Sequence, residues 1–222
     1  MTYNTIVLSC LVAGITLLAI YSISEQRRER IKLGKAILRE LDSEDWELAN
    51  YGIRLRDTEF ANALPTEMFS NDIQAPFLYN MNAQTWLFAN YKTMHRRTSV
   101  LGCRIAFVAK VPEGSISGIR IEEYYKPWAD RGPWDRRFGN FTKRNIGERH
   151  WWLCSTSGCA VKQKITQQMI EAEVPDDIEC VQIMDGYFVA SLGYSPSKVS
   201  SFCKATESSL GYLSRINHIF TL

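Results

Sequence analysis

Residues 180–192 read CVQIMDGYFVASL, and the class of the fold follows from them. Cys180–Met184 and Tyr187–Leu192 are apolar runs of strand length, rich in β-branched and aromatic residues. Asp185-Gly186 between them suits a two-residue type I′ turn, whose central positions both need positive φ. The stretch is a β-hairpin. On its carboxyl side, Val199, Phe202, Cys203, Thr206, Leu210 and Leu213 recur at helical spacing. Ser195-Pro196-Ser197 supplies the start signal there, with Ser195 or Ser197 as cap. On its amino side, Val161, Ile165, Met169 and Ala172 share one face of a helix that ends before Pro175, preceded by a short strand in His150–Ser155.

Further upstream, Phe77–Met81, Thr85–His95 and Cys103–Val111 are rich in aromatic and β-branched residues, and Gly118–Glu122 (GIRIE) alternates apolar with charged. These are predicted strands, with a bulge or hairpin turn expected around Gly102 and Cys103. A run of strands followed by helix, hairpin and helix predicts an α+β body: a mainly antiparallel sheet with helices on one face.

The amino terminus has a different character. All charged side chains lie at Glu25 or later, and Thr5–Ile23 reads TIVLSCLVAGITLLAIYSI. As a helix this run spans about 28 Å, the thickness of a bilayer's hydrocarbon core. Its hydroxyls can bond back to carbonyls one turn earlier, so they do not forbid insertion. A signal peptide would need a positive n-region, which is missing. Six basic residues, Arg27, Arg28, Arg30, Lys32, Lys35 and Arg39, follow the run and none precedes it. The positive-inside rule then expects a single-pass inner-membrane protein with its carboxyl-terminal body in the cytoplasm. The organisation expected is a transmembrane anchor over 1–24, a membrane-proximal helix over 25–50 and a soluble α+β domain over 51–222.

Composition narrows the function mainly by exclusion. The 222 residues are 45% hydrophobic and 23% charged, with a net charge of +2, which excludes a disordered chain and a strongly basic nucleic-acid packager. P-loop, dinucleotide-fingerprint, nucleophile-elbow and HExxH motifs are missing. Cys154 and Cys159, with His150 upstream and Cys180 as a conceivable fourth ligand, form the one metal-like grouping. The C-x4-C spacing is at the edge of use, and there is no second paired element. No cofactor is expected, and two buried thiols in a turn are the simpler reading.

One local anomaly remains, Lys126–Arg149, which reads KPWADRGPWDRRFGNFTKRNIGER. Between 131 and 149 six basic residues face two acidic ones, a local charge of +4, with Phe138 and Phe141 interleaved. Trp128, Arg131, Trp134, Arg136, Arg137, Lys143 and Arg144 are the candidate membrane-surface or partner-binding residues. Three readings fit: a loop whose rings dock on the core, a contact with anionic lipid headgroups, and, less well given the near-neutral chain, nucleic acid. The expectation is a membrane-anchored, non-enzymatic interaction or scaffold domain, with a subunit of a larger membrane complex as a further reading. The alternative is a tethered enzyme or metal or redox sensor built on Cys154, Cys159 and His150.

Overall fold

The computed structural model describes residues 3–41, 45–49, 55–65, 77–92, 102–124, 133, 135–193 and 198–221. Its elements are α1 (Tyr3–Glu40), β1 (Trp46–Leu48), β2 (Phe77–Asn80), β3 (Thr85–Lys92), β4 (Gly102–Lys110), β5 (Ile119–Glu123), β6 (Asn140–Ile146), β7 (Arg149–Ser155), α2 (Ala160–Glu171), β8 (Ile178–Met184), β9 (Tyr187–Leu192) and α3 (Val199–Phe220). The strands form one sheet in the order β1-β2-β3-β4-β9-β8-β5-β7-β6. Every described pairing is antiparallel. The α+β class and the antiparallel sheet are as the sequence predicts.

Asp185 (φ 50°) and Gly186 (φ 82°) both sit in the left-handed region, as the turn between β8 and β9 requires. Because strand side chains alternate between faces, registered residues form rows across the sheet. One row runs Leu78, Leu87, Phe107, Ala190, Val181, Ile121 and Leu153. It lies in a continuous core with Ile37 of α1, Met169 of α2, and Phe202, Tyr212 and Ile216 of α3. All three helices cover this face.

The opposite face is also covered. Leu55, Phe60, Ala63 and Leu64, in and beside two short 3-10 turns, close over Phe77, Trp86, Phe88, Val108 and Val189. Phe60 is the centre of this layer, with ring centroids 5.0 Å from Trp86 and 6.0 Å from Phe88.

Several expectations are corrected. The helix expected over 25–50 ends at Glu40, and Trp46–Leu48 instead forms an edge strand on β2. Gly102 and Cys103 make no turn: they pair in register with Lys92 and Tyr91. Asn140–Ile146, for which the sequence offers no strand signal and a docked loop is one of three readings, is strand β6. The buried stripe of α3 runs through Phe202, Ala205, Ser209, Tyr212 and Ile216, and Leu210 is exposed, because small residues let the helix sit close to the sheet. Val161 of α2 is exposed too. Lys198 holds the position before α3 without a side-chain cap, and Ser195 and Ser197 lie outside the described residues.

Among the described residues, no helix is long and apolar enough to cross a membrane. The side chains of residues 3–10, which include the first six positions of Thr5–Ile23, are outside that description. The helix itself runs unbroken from Tyr3 to Glu40.

Candidate functional site

The second face of the sheet changes character along one row. Trp86, Val108 and Val189 are apolar, and the row then continues through Gln182, Arg120, Cys154 and Phe141. Arg120 is fully buried, so its charge demands partners. Its Nη2 lies 2.6 Å from Glu122 Oε2, and its Nη1 lies 3.5 Å from Asp135 Oδ2 and 3.3 Å from Gln182 Oε1. Phe138 lies over the guanidinium, 5.6 Å from its ring centroid. Gln182 donates in turn to the Ala63 carbonyl.

Asp135 joins this cluster to the surface. Arg137 donates to it from its backbone N–H (3.0 Å) and from Nη2 (2.6 Å). The same guanidinium donates to the carbonyls of Asn62 at 2.5 Å and Leu64 at 2.7 Å. Burial works to raise the Asp135 carboxyl. The hydrogen bonds and charge of Arg137, with the charge of Arg120, outweigh it and hold the group below the usual carboxylate value. Arg137 is thus a rivet between residues 135–138 and 62–64.

The candidate basic residues therefore separate. Arg137 is spent on the fold, and Arg149 pairs with Glu123 at 2.8 Å while its guanidinium lies 4.4 Å from the Trp151 ring centroid. Arg136 is exposed in the turn before β6. Lys143 and Arg144 are exposed on β6, all seven residues of which are exposed, and β6 is the last strand of the sheet. Trp128, Arg131 and Trp134 lie outside the described residues.

β6 has a neighbour only in β7 among the described strands, and its register there fixes which side each residue takes. Phe141 and Lys143 stand opposite Cys154 and Trp152, on the face of the polar cluster. Thr142, Arg144 and Ile146 stand opposite Leu153, Trp151 and Arg149, on the helix-covered face. Gly147, at φ 59°, makes the tight link between the two strands.

The cysteines give no working grouping. His150 and Cys154 lie four residues apart on one extended strand, about 13 Å at the usual rise, too far to share a metal ion. His150 Nδ1 is 2.8 Å from Asn145 Oδ1. Among the described residues no three His, Cys, Asp or Glu side chains are placed to hold a metal ion. Burial pushes the Cys154 thiol up and raises Cys180 to about 12, so both stay protonated and inert. Cys159 is exposed at the start of α2. An open cleft of about 280 Å3 lies between the end of β4 and α3, with Lys110 as the only charged residue among those that line it.

The buried Arg120 cluster was not visible in sequence. GIRIE reads as a half-solvated strand, and what changes its meaning is the distant cover supplied by residues 62–64 and 135–138.

No family model matches the chain, and no curated protein matches it in sequence. Among solved structures, the chain has a remote likeness to the mycobacterial trehalose monomycolate transport factor A, TtfA. The two share 10% identity at a TM-score of 0.45, over 84% of this chain and 93% of that one. A likeness at that level assigns nothing to this chain.

Proposed function

We propose that this protein is a single-pass membrane protein whose α+β domain is a non-enzymatic interaction module held at the cytoplasmic face of an inner membrane. The observation that carries the reading is the two-part character of α1. Its carboxyl-terminal part packs on the body, with Ile37 fully buried and Leu33 and Leu38 against the core. Its preceding part leaves Leu11, Val12, Ile15, Leu17, Leu18 and Ile20 each more than half exposed. An apolar surface of that extent needs a cover, and a bilayer supplies one of the right length. The Thr16 and Ser24 hydroxyls donate to the carbonyls of Val12 and Tyr21 at 2.8 Å, which removes their cost in lipid. The basic residues from Arg27 to Arg39 orient the body inward. The buried, protonated Cys154 and Cys180 and the distance of His150 favour interaction over catalysis.

Carbonate washing of membranes tests the anchor. The full chain should stay with the pellet, and a chain beginning at Glu25 should be released; release of both overturns the anchor. A membrane-impermeant maleimide should modify the exposed Cys159 only after the cells are opened. Modification from outside overturns the orientation.

A further inference from the structure

We infer that the outer edge of β6, which pairs with no other described strand, is a strand-addition site for an extended acidic segment of a partner protein, one with two adjacent carboxylates flanked by apolar residues. The inference rests on the reading of the domain as an interaction module, and names the surface and the chemistry of the partner.

β6 is seven residues long, about 23 Å of extended chain, and pairs with β7 along one side only among the described residues. A strand at a sheet edge presents a row of backbone donors and acceptors that another strand can complete. β6 is also well stocked for it: Phe141 and Ile146 are 42% and 45% exposed, and Lys143 and Arg144 sit between them with no acidic residue in the strand.

The register separates strand addition from lipid contact. Lys143 stands on the face of Trp152, and Arg144 stands on the face of Trp151. A flat anionic surface laid against one face of the sheet gains one of these charges. An added strand alternates in step with β6, so its consecutive residues meet both. The partner positions opposite Ile146, Arg144, Lys143 and Phe141 then read apolar, any, acidic, acidic, any, apolar. The pattern is the same in either direction, so it serves a parallel or an antiparallel guest.

A second copy of β6 is a poor guest. In the centred antiparallel register it would bring basic residues opposite basic residues, an arrangement that destabilises a strand pair. The charges that turn away another β6 admit an acidic strand.

The test uses the full chain in neutral-lipid nanodiscs and the synthetic peptide TVTEETVT. Fluorescence anisotropy should detect binding, and hydrogen exchange should slow at alternate amides of residues 140–146. Lys143→Glu with Arg144→Glu, both exposed, should weaken binding about tenfold or more. Two further peptides, N-methylated at alternate residues in opposite phases, keep the charges and remove one set of backbone donors. One of the two should fail to bind. Equal binding by both, or unchanged exchange in β6, means simple charge adsorption and overturns the inference. So does protection of β6 by anionic vesicles but not by the peptide. Carbonate retention reads the anchor independently: a chain that stays in membranes but ignores the peptide sinks strand addition alone.

Discussion

Asp135→Ala puts the polar cluster to its severest trial. The carboxylate is 1% exposed, receives three donors of Arg137, and lies 3.5 Å from Arg120 Nη1. Removing one partner of a buried ion pair costs about 3–5 kcal/mol, because the remaining charge is left without compensation. Two facts pull the value to the lower end. Arg120 keeps Glu122 at 2.6 Å, and the Arg137 side chain, 29% exposed, can regain water. The expected loss is about 3 kcal/mol, which for a domain of this size lowers the melting temperature by about 6–12 °C. Thermal unfolding of the full chain in detergent, followed by near-ultraviolet circular dichroism, reads it directly. Arg136→Ala, one residue away and exposed, should stay within about 0.5 kcal/mol. The pair Asp135→Ala with Arg137→Ala should cost less than the sum of its parts by about 1 kcal/mol. A loss under 1 kcal/mol for Asp135→Ala would refute the view that this cluster fastens residues 62–64 and 135–138 to the sheet.

The same carboxyl sets a pH dependence. Its folded pKa is depressed, so its stabilisation is complete above the ordinary carboxylate range and is lost as pH falls from there through the folded value; Asp135→Asn should flatten that acid limb of a stability–pH curve. Gly186→Val puts a β-branched residue at φ 82° and should cost about 1–3 kcal/mol in denaturant unfolding, with Gly139→Val, where a new Cβ meets nothing within 4 Å, as the milder comparison. Ile37→Ala should cost about 2–5 kcal/mol and speed hydrogen exchange in residues 33–40, since it removes the fully buried contact of α1 with the body. A thiol reagent should modify Cys159 in the native protein well before Cys154 or Cys180, which should react only on unfolding.

What could be read from the sequence follows from how each element meets its neighbours. The β8–β9 hairpin was legible because Asp185-Gly186 states its backbone conformation locally. β2, β3 and β4 were legible because most of their described side chains are buried and apolar. β6 was not, since a strand exposed along its whole length has no burial period to leave in its sequence. β1 was hidden in a window of helix formers, and its partners in β2 lie thirty or more residues away. In α3, Ser201 and Ser209 face the core and Leu210 does not, so an apolar count drew the stripe off phase. Of the candidate site, the basic residues were visible as charges, but only the folded chain separates Arg137, bound to Asn62 and Leu64, from Lys143 and Arg144 at the edge.

The seam between β4 and β9 has a consequence for synthesis. It joins the first four strands to the other five, and it pairs Lys110 with Tyr187 and Ile105 with Leu192, partners 77 and 87 residues apart. On the ribosome, β4 emerges complete with its pairing to β3 while its other edge, lined by Phe107 and Val108, waits for a strand not yet made. At about 5–20 residues per second that wait lasts roughly 4–17 s. For that interval the nascent chain carries an open apolar strand edge. Keeping it from pairing wrongly until β9 arrives is a task for a chaperone, and slower elongation between residues 110 and 187 should raise the yield of aggregate.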